Sequence, residues 1–290
     1  MKKLIILSLI IAVFSIAATC AGLFWQDNGQ SYPFTSLRGQ EVSIQGSGLY
    51  RYDSVSAAAQ EKAQDALTLF AAVPLLLVGA YLTARHSMRG LLLLTGMLGY
   101  FLYTYASMAF TTSYNPFFLV YVVLFSCSLF AFIFAMQKID LDAVNAQLSE
   151  RFPRRGLSIL CILMGSFLLI AWAGGRIIMP LLNGTVPEGL EAYTTLVIQV
   201  LDLGVVTPTA FLTAWLLLKK ERWGVPLATV FVIKGAALAT AVSLMAVNMK
   251  LSHVEISPIL LVVFPLLTVG IVYYAVRIIR SIDPRLAITR

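Results

Sequence analysis

The chain has 290 residues, 59% of them hydrophobic and 12% charged, with a formal net charge of +7. Soluble domains carry about 25% charged residues, so this composition excludes an ordinary water-soluble fold. The basic excess is spread over loops between apolar runs and forms no single patch, which argues against a nucleic-acid partner.

Apolar runs long enough to cross a hydrocarbon core of about 30 Å as helix fall near 4–24, 66–84, 91–112, 117–137, 157–177, 194–218, 225–247 and 259–280. This is an all-α integral membrane pattern of about eight transmembrane helices. The first run follows Lys2 and Lys3 and also fits a signal peptide. Its continuation to Phe24 and Trp25 is long for that role and favours a retained helix.

Residues 25–65 separate the first two spans. Gln40 to Gln45 alternates polar and apolar, Gly46-Ser47-Gly48 turns, and Leu49 to Tyr52 alternates again. That pattern predicts a β-hairpin on the extracytoplasmic side, a disordered loop being the plainer alternative. Asp53 or Ser54 then caps a helix that runs from Val55 into the second span. Such a helix over 55–84 is about 45 Å long and must project beyond the bilayer or tilt.

The third span carries Tyr100, Tyr103, Thr104, Ser107, Thr111 and Tyr114. The spacing puts Tyr100, Tyr103, Ser107 and Tyr114 on roughly one face. Hydrogen bonding between helices is the ordinary use of such residues. Residues 138–156 form the next loop. There Leu141, Val144, Leu148 and Phe152 recur at helical spacing after Asp140 or Asp142, and Arg151, Arg154 and Arg155 follow. The pattern predicts an amphipathic linker helix on the inner surface, facing anionic headgroups.

Beyond the fifth span, Arg176 is placed to meet Glu188 or Glu191, or to anchor at the headgroups. The sixth span holds Asp202 and the seventh holds Lys234, each well inside an apolar run. A charge at that depth costs a few kcal/mol or more and needs a partner. At 1.5 Å per residue the two come within about 5 Å of each other in depth, so direct pairing is expected. Gln199, Asp202, Thr209 and Thr213 fall on one helical face. Pro208 deprives the Gly204 carbonyl of its usual partner, and freed carbonyls beside carboxylates coordinate cations or substrate in broken transporter helices. Two readings stay open: an ion pair that only fixes helix register, and a substrate, ion or proton site lined by Asp202, Lys234, Gln199, Gly204, Thr209, Tyr100 and Tyr103.

Loop charges orient the chain. With the N-terminus in the cytoplasm, that side holds Lys2, Lys3, Arg85, Arg89, Lys138, Arg151, Arg154, Arg155, Lys219, Lys220, Arg222, Arg277, Arg280, Arg285 and Arg290, against Arg38, Arg51, Lys62, Arg176 and Lys250 opposite. The positive-inside rule therefore places both termini in the cytoplasm. The halves also resemble each other. Shifted by 134 residues, Pro74 falls on Pro208, Leu82 on Leu216, Gly90 on Gly224, Thr68 on Asp202 and Tyr100 on Lys234. This suggests a 4+4 parallel repeat, with a four-helix half over 1–137, the linker 138–156, and a second half over 157–290.

Cys20, Cys127 and Cys161 lie at different depths and cannot bridge. His86 and His253 have no second ligand at metal spacing. No nucleophile motif, phosphate loop or metal signature occurs, so neither an enzyme nor a cofactor is expected.

Leu201-Asp202-Leu203-Gly204 through Pro208, then Trp223-Gly224 and Lys234-Gly235, together with Gly48-Leu49-Tyr50-Arg51-Tyr52-Asp53, resembles a group of uncharacterised bacterial multi-pass membrane proteins. The resemblance covers about a third of the chain. It implies a bacterial cytoplasmic membrane and brings no activity with it. The expected partners are the lipid bilayer, a small solute or ion and, on the alternative reading of a membrane scaffold or sensor, a protein at the outer loop.

Overall fold

The computed structural model describes residues 1–146, 148–149, 152–284 and 286–288. Eight helices in it are long and apolar enough to cross a membrane: α1 (Lys2–Phe24), α2 (Val55–Ala84), α3 (Met88–Thr111), α4 (Phe118–Met136), α6 (Arg154–Asn183), α7 (Val197–Lys219), α8 (Gly224–Leu251) and α9 (Leu260–Ser281). The short α5 (Leu141–Ala146) lies between α4 and α6. The protein is an all-helical, multi-pass membrane protein with one small antiparallel sheet.

The surface chemistry fits that setting. Large apolar side chains point outward, among them Ile170, Leu119 and Val269. Several hydroxyls are turned inward and satisfied within their own helices: Ser8, Thr83, Thr95 and Thr229 each donate to the carbonyl four residues earlier. In lipid no water is present to answer a stray hydroxyl, so internal pairing is required.

α3 is the central helix. It is 78% buried, against 11% for α9. It packs on α2, α4 and α8, and α8 in turn packs on α2, α7 and α9. The first turn of α7 reaches across to α3. Thus the second span of each half rests on the third span of the other. Small residues allow the close central contact: Gly96 faces Ile233 and Gly99 faces Lys234, and a Cβ on Gly96 would overlap the isoleucine.

Three helices widen into π-turns at Thr68–Ala72, Leu169–Ile178 and Asp202–Val206. Each ends two residues before a proline, namely Pro74, Pro180 and Pro208. Proline has no N–H and crowds the preceding turn; a wide turn just before it relieves that crowding. The first and third π-turns close alike, Val73 N–H on Thr68 O and Thr207 N–H on Asp202 O. The α2–α3 and α7–α8 connections also match. His86 and Lys220 both take φ near +60°, and Ser87 N–H bonds Leu82 O as Glu221 N–H bonds Leu216 O. Gly90 and Gly224 pack against residues 82–83 and 216–217 respectively.

The sheet differs from the expected hairpin. Its strands are β1 (Tyr32–Thr35) and β2 (Glu41–Ile44), turning at Gly39 with φ +76°. Residues 49–52, expected as the second strand, form turns instead. The chain does return past Gly46, with Gln45 N–H on Asp53 O and a single bridge from Ile44 to Ser54. Regular alternation fails because Leu49 and Tyr50 are both buried. Tyr50 is drawn into the bundle, where its hydroxyl donates to Asp65 at 2.6 Å. The helix that follows is capped as expected, Ser54 Oγ accepting from Ala57 N–H.

The linker helix is shorter than its periodicity predicts. Asp140 caps it through Ala143 N–H, but it ends at Ala146. Leu148 beyond it bridges to Ile282 of the C-terminal segment, while residues 147 and 150 of the predicted helix lie outside the described residues. Of the basic residues used for orientation, Arg151, Arg285 and Arg290 lie outside the described residues.

Candidate functional site

Asp202 opens the π-turn of α7 and is 8% exposed. Its two carboxylate oxygens are answered by different helices. Tyr103 of α3 donates its hydroxyl to Oδ1 at 2.7 Å, and Trp172 of α6 donates its indole N–H to Oδ2 at 2.8 Å. Lys234 of α8 does not pair with Asp202 directly: among the described residues no ion pair within 4.0 Å joins them. Its ammonium instead sits over the Tyr103 ring, 4.5 Å from the centroid. That is cation–π range. Tyr103 therefore stands between the two charges, its hydroxyl on one and its face under the other.

Four helices from both halves build this knot. The direct ion pair expected from depth alone fails for a lateral reason. Depth arithmetic places two residues at one level, but it does not say what lies between them, and here α3 inserts Tyr103. Trp172 was not singled out in the sequence. An indole in an apolar span reads as packing, and its N–H donor is the one signal that it needs a partner.

The remaining expected site residues are divided. Gln199 is buried one turn before Asp202. Gly204 is exposed, with open space where a Cβ would project, so the structure does not bring it to the packed carboxylate. Thr209 gives its carbonyl to the Thr213 hydroxyl at 2.6 Å, which ties that pair up within the helix. The polar stripe is broken by the π-turn: the extra residue rotates everything after it by about 100° relative to an α-helical wheel.

Tyr100 belongs to a second, uncharged knot. Its hydroxyl lies 2.8 Å from Thr68 Oγ1 and accepts from Gln64, which also donates to Thr104 Oγ1 at 3.0 Å. Tyr100 is fully buried and faces α2, while Tyr103 faces α7. These two tyrosines, expected along one wall, serve opposite sides of the central helix.

A third cluster lies at the end of the bundle that carries the sheet. Asp53, Glu61 and Asp65 gather there with Tyr50, Tyr121 and Tyr193. Burial beside Asp65 holds the Tyr50 phenol well above its ordinary value, and burial beside Asp53 does the same for Tyr193. Of this cluster only Asp53, as a capping residue, and Tyr50, in the expected second strand, are named from the sequence. The signal was present in Glu61 and Asp65, which lie one turn apart on a helix otherwise rich in alanine.

Arg176 meets Glu188 at 3.7 Å and lies over the Trp172 ring at 5.1 Å, so it steadies the indole that serves Asp202. The three cysteines are free. No group of three or more His, Cys, Asp or Glu suited to a metal occurs among the described residues. No family model, curated protein or solved structure matches the chain.

Proposed function

We propose that this membrane protein moves an ion, or a small solute coupled to one, with Asp202 as the ion- or proton-responsive carboxylate and Lys234 as its counter-charge. One observation carries the reading: the two intramembrane charges are separated by Tyr103. A pair serving only to fix register gains most by direct contact. Here each charge uses a neutral group, and a cation or proton arriving at Asp202 changes what Tyr103 offers Lys234. Basic loop residues favour both termini in the cytoplasm, and the resemblance noted above implies a bacterial cytoplasmic membrane.

The test uses purified protein in proteoliposomes, with dyes reporting imposed H⁺, Na⁺ and K⁺ gradients. Wild-type protein is expected to dissipate at least one gradient faster than Asp202→Asn. Equal rates for the two proteins under all three gradients would overturn the ionic reading.

The scaffold or sensor reading keeps one supporting observation. The sheet exposes Leu37 at 85% and half-exposes Tyr32 and Phe34, while Arg38 clasps the Tyr193 and Thr194 carbonyls. Removing residues 32–44 and finding every membrane complex intact would sink it.

A further inference from the structure

Among the described residues, the sheet end holds four carboxylates that are not solvent-exposed, and two of these leave no buried oxygen orphaned. Asp65 accepts from Tyr50, and Glu191 accepts from Ser54. The other two, Asp53 and Glu61, take donors from adjacent residues just past α3. Glu61 Oε1 accepts from the Thr112 hydroxyl at 2.6 Å. Asp53 Oδ1 accepts from Ser113 N–H at 2.8 Å and from the Tyr193 hydroxyl at 2.9 Å. Their second oxygens, Asp53 Oδ2 and Glu61 Oε2, are buried without a hydrogen-bond partner among the described residues. Asp53 as a whole is 1% exposed.

No Lys, Arg or His among the described residues forms an ion pair with either carboxylate. Lys62 is near enough for its charge to act on Glu61 but does not pair with it. Two neighbouring acceptors, both buried and both lacking a donor, are costly as carboxylates. A single proton changes the count. It turns one orphan acceptor into a donor beside a second acceptor, as in carboxyl pairs that share a proton. Burial already pushes the Asp53 carboxyl above its usual range, against the downward pull of Ser113 and Tyr193.

We propose that Asp53 and Glu61 bind one proton between them, forming a protonatable carboxyl pair at the sheet end, distinct from the Asp202 knot. The pair joins three segments: the return after β2 through Asp53, the end of α3 through Thr112 and Ser113, and the segment before α7 through Tyr193. The charged and titratable groups facing it are Lys62 and Asp65 of α2, Tyr50 of the return, Tyr121 of α4, and Tyr193 and Glu191 of the later segment. None is a histidine, and the Asp53 and Glu61 variants below separate the pair's response from that of neighbouring Asp65.

The sign of that response follows from linkage. A carboxyl that holds its proton more tightly folded than unfolded adds stability at low pH, and loses it as pH rises from the unfolded carboxyl range, about 4, through the folded value. The full chain in detergent is therefore expected to melt several degrees lower at pH 8 than at pH 5. Glu61→Gln keeps the Thr112 bond and supplies a permanent N–H donor, so it should flatten that slope, and Asp53→Asn should do likewise. Infrared difference spectra of wild type between pH 5 and pH 9 read the same event without any variant. A protonated-carboxyl band that shifts on ¹³C labelling of Asp and Glu is expected to bleach over this range. An unchanged melting slope in both variants, or no such band in wild type, would overturn the proposal. So would a rise in melting temperature at pH 9 specific to Na⁺ or Ca²⁺ over choline and abolished by Glu61→Gln, because a metal cation would then hold the site.

Discussion

Two polar knots occupy corresponding places in the two halves, and they solve the same problem differently. In each, a helix widens into a π-turn that opens six residues before a proline, at Thr68 before Pro74 and at Asp202 before Pro208. In the first half the opening residue is a threonine. It closes on Tyr100 with Gln64 and Thr104, all from α2 and α3, and carries no charge. In the second half it is an aspartate, with Lys234 where the first half has Tyr100, and it cannot close within its own helix pair. It borrows Tyr103 from the first half and Trp172 from α6. The neutral knot locks two helices. The charged knot draws four together and makes its own stability depend on how the halves are packed.

The largest test of that contrast is Asp202→Ala. It leaves the Tyr103 hydroxyl and the Trp172 N–H without acceptors and strips Lys234 of its counter-charge. Losing one partner of a buried charge costs about 3–5 kcal/mol. Thr68→Val at the corresponding place removes one neutral hydroxyl and should cost about 1 kcal/mol. Thermal unfolding of both variants in detergent reads the difference. Equal losses would mean that the second knot holds no more charge than the first.

Gly96→Ala comes next. Its Cβ would overlap Ile233 where α3 meets α8. Overpacking of this kind costs about 1–3 kcal/mol. Because α8 carries Lys234, the strain should also weaken the charged knot, so Gly96→Ala and Asp202→Ala should cost less together than the sum of their single effects. Full additivity would show that the knot is indifferent to how closely the halves pack.

Paired tyrosine changes give a smaller effect. Tyr100→Phe takes the phenol from Thr68 and from Gln64, which keeps its bond to Thr104, at about 1–2 kcal/mol. Tyr103→Phe removes a donor to Asp202 but keeps the ring under Lys234. The expected outcome is a similar melting loss for both, with gradient dissipation in proteoliposomes falling only for Tyr103→Phe. Loss of dissipation in Tyr100→Phe as well would merge the two knots into one functional unit.

Which parts of this arrangement the sequence made legible follows from what each signal depends on. The spans stand out because lipid demands long unbroken apolar runs. Their ends are less plain: the polar start of α2 was legible from its cap and matches the helix expected over 55–84, whereas α6 runs on from the expected end at 177 to Asn183. Asp202 and Lys234 are conspicuous because charge is rare at that depth. Their true partners were hidden. Tyr103 came from another helix, Trp172 looked like packing, and the π-turn broke the helical spacing that tied Thr209 and Thr213 to the site. The Asp53–Glu61 pair was least legible. Asp53 is buried by Tyr193, a residue 140 positions away, and nothing local distinguishes a carboxylate covered by a distant loop from one in water. The correspondence between the halves was visible in Pro74, Pro208, Gly90 and Gly224 because proline and glycine act on the backbone itself, and the backbone is what repeats in the two connections.

The smallest expected effect, and of opposite sign, is at Gly204. A glycine two residues past Asp202, with Pro208 beyond, invites the idea of a freed carbonyl serving as a ligand. The structure leaves Gly204 exposed with no atom within 4 Å of a new Cβ, and its φ is not among the positive values. An alanine there meets no clash and reduces the freedom of the unfolded chain. Gly204→Ala should therefore stabilise by about 0.5–1 kcal/mol and leave gradient dissipation at the wild-type rate. The comparison rests on the charged knot being made of side chains drawn from four helices. If Gly204→Ala lowered the rate while raising the melting temperature, backbone freedom in the π-turn would itself be part of the site, and the two knots would differ in mobility as well as in charge.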